Sequence, residues 1–367
     1  MKKIKIYLQK PWRFSEDSQY YESLCGEPPK GIEYVSQNKT QLLQKGSRVA
    51  IFDLVKILIR KLVDKFYPSM PNAHYDKDAG KYDLIHCIRC IPKTKKPWVC
   101  DLEFAGSLWI KGYGTLKDKK KVLGYLKSPY CKKILPWTKW CAREIQRIFP
   151  EISDKVEVVY PAIRERKFKK LKTGKTILLY VSRRFYFKGG LYALETMDKI
   201  TKKNKNVEGW VVSDVPKEIY DKYRANPQIK FIGTKSHAEL FEEIYPKADI
   251  FLYPSFTDTF GYVILEAMSF GLPVISASGQ SRKELIEDNV TGRIIESGLG
   301  PNPDPRDLEK LDEKIVNKLV NATFKLIKNK GLRDKMSKKC IAETTIGKFS
   351  IERRNKKLKK IISEALR

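Results

Sequence analysis

Short apolar runs alternate along the chain with longer stretches whose apolar residues recur every three or four positions. The short runs predict strands, and they lie at 3–8, 81–88, 98–106 (where the strand passes into a loop), 176–181, 208–213, 229–233, 250–253 and 272–275. Helical spacing is clearest at 48–63, 236–245 and 262–270. Ser-x-x-Glu capping boxes at 236–239 and 281–284 predict two helix starts. Strands that alternate with helices in both halves predict two α/β domains with parallel sheets.

A basic stretch at 164–175 separates the two halves and is predicted to be the linker between domains. The first domain is expected to cover 1–163 and the second 164–348. A chain of 367 residues is long enough for two domains of ordinary size, each with its own core. Because parallel α/β sheets bind ligands beyond the carboxyl ends of their strands, the cleft between the domains is the expected site.

The stretch 248–276 carries the densest candidate chemistry of the chain. Its pattern is strand, loop, helix and strand, with Asp258 in the loop and Glu266 on the helix. The eight positions that separate them span a little over two helical turns, so both carboxylates can face one cleft. The loop can present free backbone N–H groups at a helix N-terminus, where anions bind. Acids that accept hydroxyl groups beside amides that accept phosphate fit a sugar joined to a diphosphate.

Two cations lie in another loop, between the predicted strand 176–181 and the helix after it. Arg183 and Lys188 are five positions apart, and Gly189 and Gly190 follow them. A guanidinium fork and an ammonium group held by one loop are suited to a diphosphate. Each charge-assisted hydrogen bond contributes roughly 1.5–3 kcal/mol and would also stabilise a departing diphosphate.

The stretch 248–276 resembles the donor-site signature of retaining glycosyltransferase family 4, the group 1 glycosyl transferases. The family has a Glu, seven residues and a second Glu. This chain has Asp258 and Thr259 in place of the first Glu and its Gly, and Glu266 stands at the second position. Further matching positions are Pro254-Ser255, Phe260-Gly261 and Ala267-Met268. For the stretch 248–276, an ordinary βαβ unit with surface acids is the alternative interpretation. The loop 182–190 is similar to the family's Gly-Arg-Leu-x-x-x-Lys-Gly.

The resemblance implies the GT-B fold, in which two Rossmann-like domains face each other across a cleft and a terminal helix, here 349–367, crosses back to the first domain. It also implies that a sugar is transferred from a nucleotide-diphosphate donor with retention of anomeric configuration, as in a retaining hexosyltransferase. The nucleotide sugar is then a co-substrate, and no cofactor and no metal are expected.

The family's site roles carry over to the matching positions of this chain. Glu266 would hold the ribose hydroxyls, and Asp258 would meet hydroxyls of the transferred sugar. Arg183 and Lys188 would take the charge of the departing diphosphate in place of a metal. Backbone groups would complete the donor site, at the nucleobase from Gly233 and Thr234, and at the sugar and phosphates from Thr259, Phe260, Gly261, Tyr262 and Val263. The shorter Asp258 leaves the identity of the donor sugar open.

The first half carries three candidate residues on its predicted strands. The segment 81–88 is similar to the family's strand ending in Asp-x-x-His, which would bring His86 to the acceptor side of the cleft; a packed core histidine is the alternative. Where many family members have a His near the transferred sugar, this chain has Asp101 and Glu103. These carboxylates share one face of the strand. Glu103, nearer the loop, is the candidate for a catalytic role, and Asp101 lies with His86 on the acceptor side.

The chain has 73 Lys and Arg against 43 Asp and Glu, a net charge of +30. This excess favours anionic partners, namely nucleotide sugars, nucleic acid or an anionic membrane face, with a solvated Lys-rich surface as the alternative. Basic residues surround the apolar stripe at 48–63, which predicts either core packing or peripheral contact with anionic lipid. A Lys-rich patch at 111–127 is either a solvated charge run or a mobile loop over an acceptor. Nucleic acid is not expected as a partner, because no nucleic-acid-binding motif is found in the sequence.

The lengths of the apolar runs bear on the compartment of the protein. No apolar run approaches the ~20 residues that span a membrane, and the start lacks the apolar core of a secretory signal. A cytoplasmic protein, with or without peripheral membrane contact, is therefore expected.

The chain has seven cysteines, and Cys87, Cys90 and Cys100 lie close together in sequence. Buried free thiols are the expectation, with a disulfide or a metal site as alternatives.

Two other functions remain open. A GT-B enzyme of another reaction, such as a sugar-nucleotide epimerase, would act on the donor without an acceptor. A basic nucleic-acid-binding protein would bind duplexes in a strongly salt-dependent manner and would not need Glu266. Within the transferase hypothesis, the donor base and sugar and the nature of the acceptor (glycan, lipid or protein) are not specified.

Overall fold

A computed structural model describes residues 3–9, 19–35, 70–75, 81–110, 116–298 and 308–367. Their contacts divide the chain into two compact units, Met1–Pro161 together with Ile351–Arg367, and Ala162–Ser350. These boundaries lie two residues away from the expected ones, 1–163 with 349–367 and 164–348.

The first unit is built on a five-stranded parallel sheet. In chain order its described elements are β1 (Ile4–Gln9), α1 (Gln19–Gly26), β2 (Ile32–Val35), β3 (Ala73–Tyr75), β4 (Leu84–Ile88), β5 (Ile91–Lys93), β6 (Trp98–Leu102), α2 (Leu116–Lys127), β7 (Cys131–Pro136) and α3 (Lys139–Ile148). The strand order is β2-β1-β4-β6-β7, and β3 pairs separately with β5. Every residue of β4 and β6 is buried, as expected for central strands of a parallel sheet that is covered on both faces.

The basic segments of the first half fall partly outside the described residues. The predicted helix at 48–63 lies outside them, and so do residues 111–115 of the Lys-rich patch. The rest of that patch forms α2, so this part is a helix and not a loop. None of the helices that the structure describes combines the length and the apolar composition needed to cross a membrane.

Cys87 and Cys90 form a disulfide at the end of β4. The expectation of free thiols is wrong for this pair, because the turn after the strand brings their Cα atoms to 5.8 Å, a separation that a disulfide spans. Cys100, Cys131 and Cys141 of the same unit are buried and take no part in this disulfide. Burial raises the pKa of the Cys131 thiol to about 12 and that of Cys100 well above its ordinary value. The Cys100 and Cys131 thiols therefore stay protonated, and all three cysteines serve as small core residues.

The second unit holds a six-stranded parallel sheet. Its described elements are β8 (Thr176–Val181), α4 (Gly190–Lys203), β9 (Val207–Val212), α5 (Lys217–Tyr223), β10 (Ile229–Phe231), α6 (His237–Glu239), β11 (Ile250–Tyr253), α7 (Tyr262–Ser269), β12 (Val274–Ala277), α8 (Arg282–Leu285), β13 (Gly292–Ile295), α9 (Glu313–Lys328) and α10 (Lys330–Thr345). The strand order is β10-β9-β8-β11-β12-β13. The order of connection reverses between β8 and β11. In such sheets, the loops at the carboxyl ends of the two strands at this switch point form the ligand-binding crevice.

The predicted helix 236–245 is an α-helix only at its start. Ser236 and Glu239 form the predicted capping box, but α6 ends at Glu239. A π-helical turn at Leu240–Ile244 and a 3-10 turn at Tyr245–Lys247 follow. Pro246 cannot donate the backbone hydrogen bond that a continued α-helix would need. The wider π-helical turn and the tighter 3-10 turn together bury the side chain of Tyr245 beside α7.

The last helix, α11 (Ile351–Ala365), belongs to the first unit. Arg354 is buried and donates hydrogen bonds to the Ser23 hydroxyl at 2.7 Å and to the Glu27 carbonyl at 2.8 Å. The Asn355 side chain donates to the same Glu27 carbonyl at 2.9 Å. The helix thus crosses back to the first unit, as the resemblance predicted.

Candidate active site

The loop after β8 and the loop after β11 are in direct contact. Lys188 donates from Nζ to the Thr257 carbonyl at 2.9 Å, and the Thr257 hydroxyl donates to the Phe187 carbonyl at 3.0 Å. Gly189 adopts a left-handed conformation with φ +71°, and a Cβ added there would lie 2.1 Å from the carbonyl oxygen of Pro254. Only glycine therefore allows the two backbones to approach this closely.

Gly189→Ala is expected to destabilise the protein by about 1–3 kcal/mol more than Gly233→Ala does. Both glycines have positive φ (+71° and +73°), so both variants carry the same left-handed backbone cost. They differ in space, because no atom of the described residues lies within 4 Å of a Cβ added at Gly233. Urea unfolding followed by circular dichroism measures both free energies. Equal losses would show that the contact between the two loops is not tightly packed.

Asp258 is buried where the two loops meet. Its carboxylate lies 3.1 Å from Nζ of Lys188 and accepts a 2.7 Å hydrogen bond from the Tyr253 hydroxyl. Arg282 lies further away, with its guanidinium 3.9 Å from Oδ2. The structure thus places two of the predicted catalytic residues, Lys188 and Asp258, in one ion pair.

The surrounding charges keep Asp258 ionised. Burial alone would raise its pKa, but the positive charges of Arg282 and Lys188 and the hydrogen bonds from Tyr253 and Lys188 outweigh burial, so the pKa lies below the ordinary value. For Tyr253, burial and then the Asp258 charge raise the pKa well above the ordinary value, so its hydroxyl stays a hydrogen-bond donor. The centre of the site is therefore a fixed negative charge flanked by two cations.

Arg282 is a site residue that the sequence analysis missed. Its side chain is 1% exposed, and it donates to the carbonyl of Phe260 at 2.9 Å and to the carbonyl of Asp258. The predicted capping box at 281–284 is wrong, because Ser281 has φ −90° and ψ 5° in place of an extended cap conformation and makes no side-chain cap bond. The available signal was position: Arg282 follows β12, the strand beside β11, at the edge where ligands bind.

Glu266 lies on α7 with both carboxylate oxygens engaged. Oε2 accepts a 3.0 Å hydrogen bond from the buried Tyr245 hydroxyl, and Oε1 lies 3.4 Å from Nε2 of His237. Burial and then the Glu266 charge raise the pKa of Tyr245 well above its ordinary value, so this hydroxyl also remains a donor. Tyr245 and His237 were not predicted. Ser236-His237 was recognised only as a helix start, and the irregular turn that carries Tyr245 gave no signal in the sequence.

The predicted backbone groups of the donor site surround the start of α7. Gly261 precedes the helix with φ +79° and supplies no side chain to cap it, and its carbonyl accepts a 2.9 Å hydrogen bond from the Ile264 N–H of the first turn. Phe260 is buried, whereas Thr259 and Val263 are half-buried. Tyr262 donates from its hydroxyl to the Ala162 carbonyl at 2.7 Å, which anchors the beginning of the helix.

The other predicted donor residues lie on exposed loops of the same sheet edge. Arg183 is exposed in the loop after β8, and Gly233 and Thr234 are exposed in the loop after β10. Nearby, the hydroxyl oxygens of Ser213 and Ser255 are buried and have no hydrogen-bond partner within the described parts of the chain. Because buried polar atoms are normally bonded, these two strand-end hydroxyls are available to water or a ligand.

His86 and Asp101 lie inside the first unit, with exposed fractions of 0% and 1%. Nε2 of His86 is 3.4 Å from Oδ2 of Asp101, and its Nδ1 is 3.1 Å from the Tyr34 hydroxyl. The Tyr21 hydroxyl donates to Asp101 at 3.1 Å, and burial followed by the Asp101 charge raises the pKa of Tyr21. The structure therefore places these two predicted acceptor-side residues in an internal hydrogen-bond network.

Glu103, the third candidate of the first unit, is more accessible. Its side chain is 17% exposed and forms a 3.0 Å ion pair with Arg89. The Arg89 guanidinium lies over the Trp137 ring at 5.0 Å, which fixes the cation from its other side. Arg89 thus fixes the position of the Glu103 carboxylate, which directly follows β6.

Solved glycosyltransferase structures match the whole length of the chain. A glycosyltransferase of Rickettsia africae has a TM-score of 0.66 at 17% identity and covers 100% of this chain and 99% of its own. WaaG, a glycosyltransferase involved in lipopolysaccharide biosynthesis, has a TM-score of 0.59 at 15% identity, with 98% and 100% covered. HepE of Anabaena, solved with UDP-glucose, has a TM-score of 0.57 at 14% identity, with 98% and 99% covered. These similarities establish the fold: it is the GT-B glycosyltransferase fold with two Rossmann-like domains.

Sequence comparison is more specific for the second unit. Residues 162–339 match the family model described as Glycosyl transferases group 1. This segment covers nearly all of the unit that carries the Asp258 and Glu266 loops, so the second unit matches the group 1 glycosyl transferases over nearly its whole length, as the resemblance predicted.

Two curated relatives match over parts of their lengths. An uncharacterized glycosyltransferase of Methanocaldococcus jannaschii is 24% identical over a match of 241 residues that covers 58% of this chain and 62% of the relative. The phosphatidylinositol N-acetylglucosaminyltransferase gpi3 subunit of Schizosaccharomyces pombe is 28% identical over a match of 155 residues that covers 40% of this chain and 34% of the relative. The chain thus matches less than two thirds of the length of either relative.

Proposed function

We propose that the chain is a retaining glycosyltransferase that moves a sugar from a nucleotide-diphosphate donor to an acceptor without a metal ion. One observation carries the proposal: the switch point of the second unit brings Lys188 and Asp258 into contact, at the edge that also holds Arg183. Support comes from the family match of residues 162–339 and from HepE of Anabaena, which was solved with UDP-glucose.

The donor is proposed to lie along the carboxyl edge of the sheet. Glu266 would accept hydrogen bonds from two ribose hydroxyls, with Gly233 and Thr234 beside the base. Arg183 and Lys188 would hold the diphosphate, and the sugar would lie at Asp258. Lys188 is fixed in advance by Thr257 and Asp258, so little reorganisation is needed when phosphate charge arrives.

The proposed transfer breaks the bond between the anomeric carbon and the phosphate oxygen, and its electron pair goes to the leaving diphosphate. The acceptor oxygen forms a new bond to that carbon on the same face, and its proton passes to the departing phosphate. Arg183 and Lys188 stabilise the growing negative charge, which is the role that a metal takes in other transferases. The fixed charge of Asp258 keeps the Lys188 ammonium group directed at this point.

Glu266→Gln is expected to weaken binding of the cognate nucleotide by on the order of tenfold to a hundredfold, because hydrogen bonds to a charged acceptor contribute about 1.5–3 kcal/mol. Calorimetric titration with UDP, GDP and ADP, without added metal, identifies the nucleotide and measures the change. Glu287→Gln, which removes the same charge from an exposed position of the second unit, serves as the control. Binding of none of the three nucleotides, or an unchanged affinity in Glu266→Gln, would contradict the proposed donor site.

A further inference from the structure

His237 is the more exposed neighbour of the Glu266 carboxylate. Its Nε2 lies 3.4 Å from Oε1, and its side chain is 38% exposed against 5% for Glu266. The other carboxylate oxygen, Oε2, accepts from the buried Tyr245 hydroxyl at 3.0 Å. Because Tyr245 closes the inner side of the carboxylate, a ligand approaches Glu266 from the side on which His237 lies.

An aromatic stack holds the imidazole in place. The His237 ring lies 5.9 Å from the Phe241 ring with 25° between the planes. Phe241 in turn stacks on Tyr245 at 5.9 Å and on Phe270 at 5.8 Å, and the Arg166 guanidinium lies 4.0 Å from its centroid. The His237 ring is therefore the outermost member of a stack of aromatic rings beside Glu266.

The charged groups around His237 come from several elements. Glu266 faces it from α7, and the Arg166 guanidinium lies over the Phe241 ring, which stacks on the imidazole. On its own turn, Lys235 and Glu239 pair with each other at 2.7 Å, so their charges largely offset one another. Glu266, 3.4 Å away, is thus an ionic partner for a protonated His237.

We propose that His237 is a positioning residue of the nucleoside subsite, whose imidazole holds Oε1 of Glu266 until a ribose hydroxyl of the donor replaces it. The inference rests on the proposed function, because it takes the ribose as the ligand of Glu266. A protonated imidazole binds the Glu266 carboxylate more strongly than a neutral one and therefore competes with the ribose. Donor binding favours the neutral imidazole, so a charged His237 loses its proton to the buffer when the donor binds.

Proton release is measured by calorimetric titration in buffers of different ionisation enthalpy, at about pH 6 and about pH 8. The probes are UDP-glucose, GDP-mannose and ADP-glucose, whose diphosphate does not titrate in this range. The wild type is expected to release a proton, at most one per site, on binding at the lower pH and to bind the donor more weakly there than at the higher pH, because the protonated imidazole competes with the ribose.

His237→Gln is expected to release no proton and to bind the donor equally well at both pH values. His74→Gln, which removes a half-buried histidine of the first unit, is expected to keep the wild-type proton release. Wild type without proton release, or the same release in His237→Gln, would overturn the role of His237 while leaving the donor site intact. Binding of none of the three nucleotide sugars by wild type at either pH would instead overturn the proposed function, and the inference with it.

Discussion

Lys188→Met is expected to lower kcat by on the order of 10²–10³-fold, with a smaller change in donor affinity. Methionine keeps the length and apolar body of the side chain and removes the charge. In the wild type, Nζ is fixed between the Thr257 carbonyl at 2.9 Å and the Asp258 carboxylate at 3.1 Å, so the ammonium group is already ordered before a donor arrives. The attraction between this ammonium group and the leaving diphosphate grows as negative charge develops in the transition state. Removal of an interaction of this kind lowers kcat.

The measurement is release of the nucleoside diphosphate from the cognate nucleotide sugar, with and without candidate acceptors. Lys202→Met is the matched control, because it removes the same charge at the far end of α4, where Lys202 is 68% exposed and pairs with Asp198. The control is expected to keep the wild-type kcat. If both variants lose the same activity, overall positive charge and not the position of Lys188 supports the reaction, and the assigned role fails.

The sheet of the second unit was well predicted from the sequence. The strands at 176–181 and 250–253 have the bounds expected, since each is an almost entirely apolar run that a polar residue or a Pro ends. The helix predicted at 262–270 ends as expected, because Gly271 follows the C-cap residue Phe270 of α7 with a positive φ of +68°. Local patterns of this kind suffice because strand bounds and helix ends depend on near neighbours in sequence.

The contacts inside the site were not predictable in the same way. Lys188 meets Asp258 across 70 positions of sequence, and Arg282 reaches the carbonyl of Asp258 across 24. Neither pairing leaves a periodic or local signal. The resemblance assigned Asp258 to the donor sugar but did not show that Tyr253, Lys188 and Arg282 already surround it. Likewise, the strand pattern placed His86 near a strand end, whereas its complete burial depends on packing of the whole first unit.

Arg282→Met is expected to destabilise the second unit by about 3–5 kcal/mol, because it removes one partner from a buried, charged network. The carbonyls of Asp258 and Phe260 lose a common donor, and the Asp258 charge keeps Lys188 as its nearest cation. Urea unfolding at neutral pH measures the loss. Arg293→Met is the control, since this arginine is 28% exposed and pairs with Asp288 at 3.3 Å, and loss of such a surface pair costs about 1 kcal/mol or less.

The sign of the pH dependence separates the charge effect from lost packing. The folded-state pKa of Asp258 is depressed in the wild type, so its contribution to stability is present above the unfolded pKa of about 3.9 and is lost as pH falls through the folded pKa. Removing Arg282 raises that folded pKa. The difference between wild type and Arg282→Met is therefore expected to be largest near neutral pH and to shrink as the carboxyl group becomes protonated. A difference that stays constant down to about pH 3 would mean that Arg282 acts through packing and its carbonyl contacts alone, and that Asp258 does not depend on it for its charge.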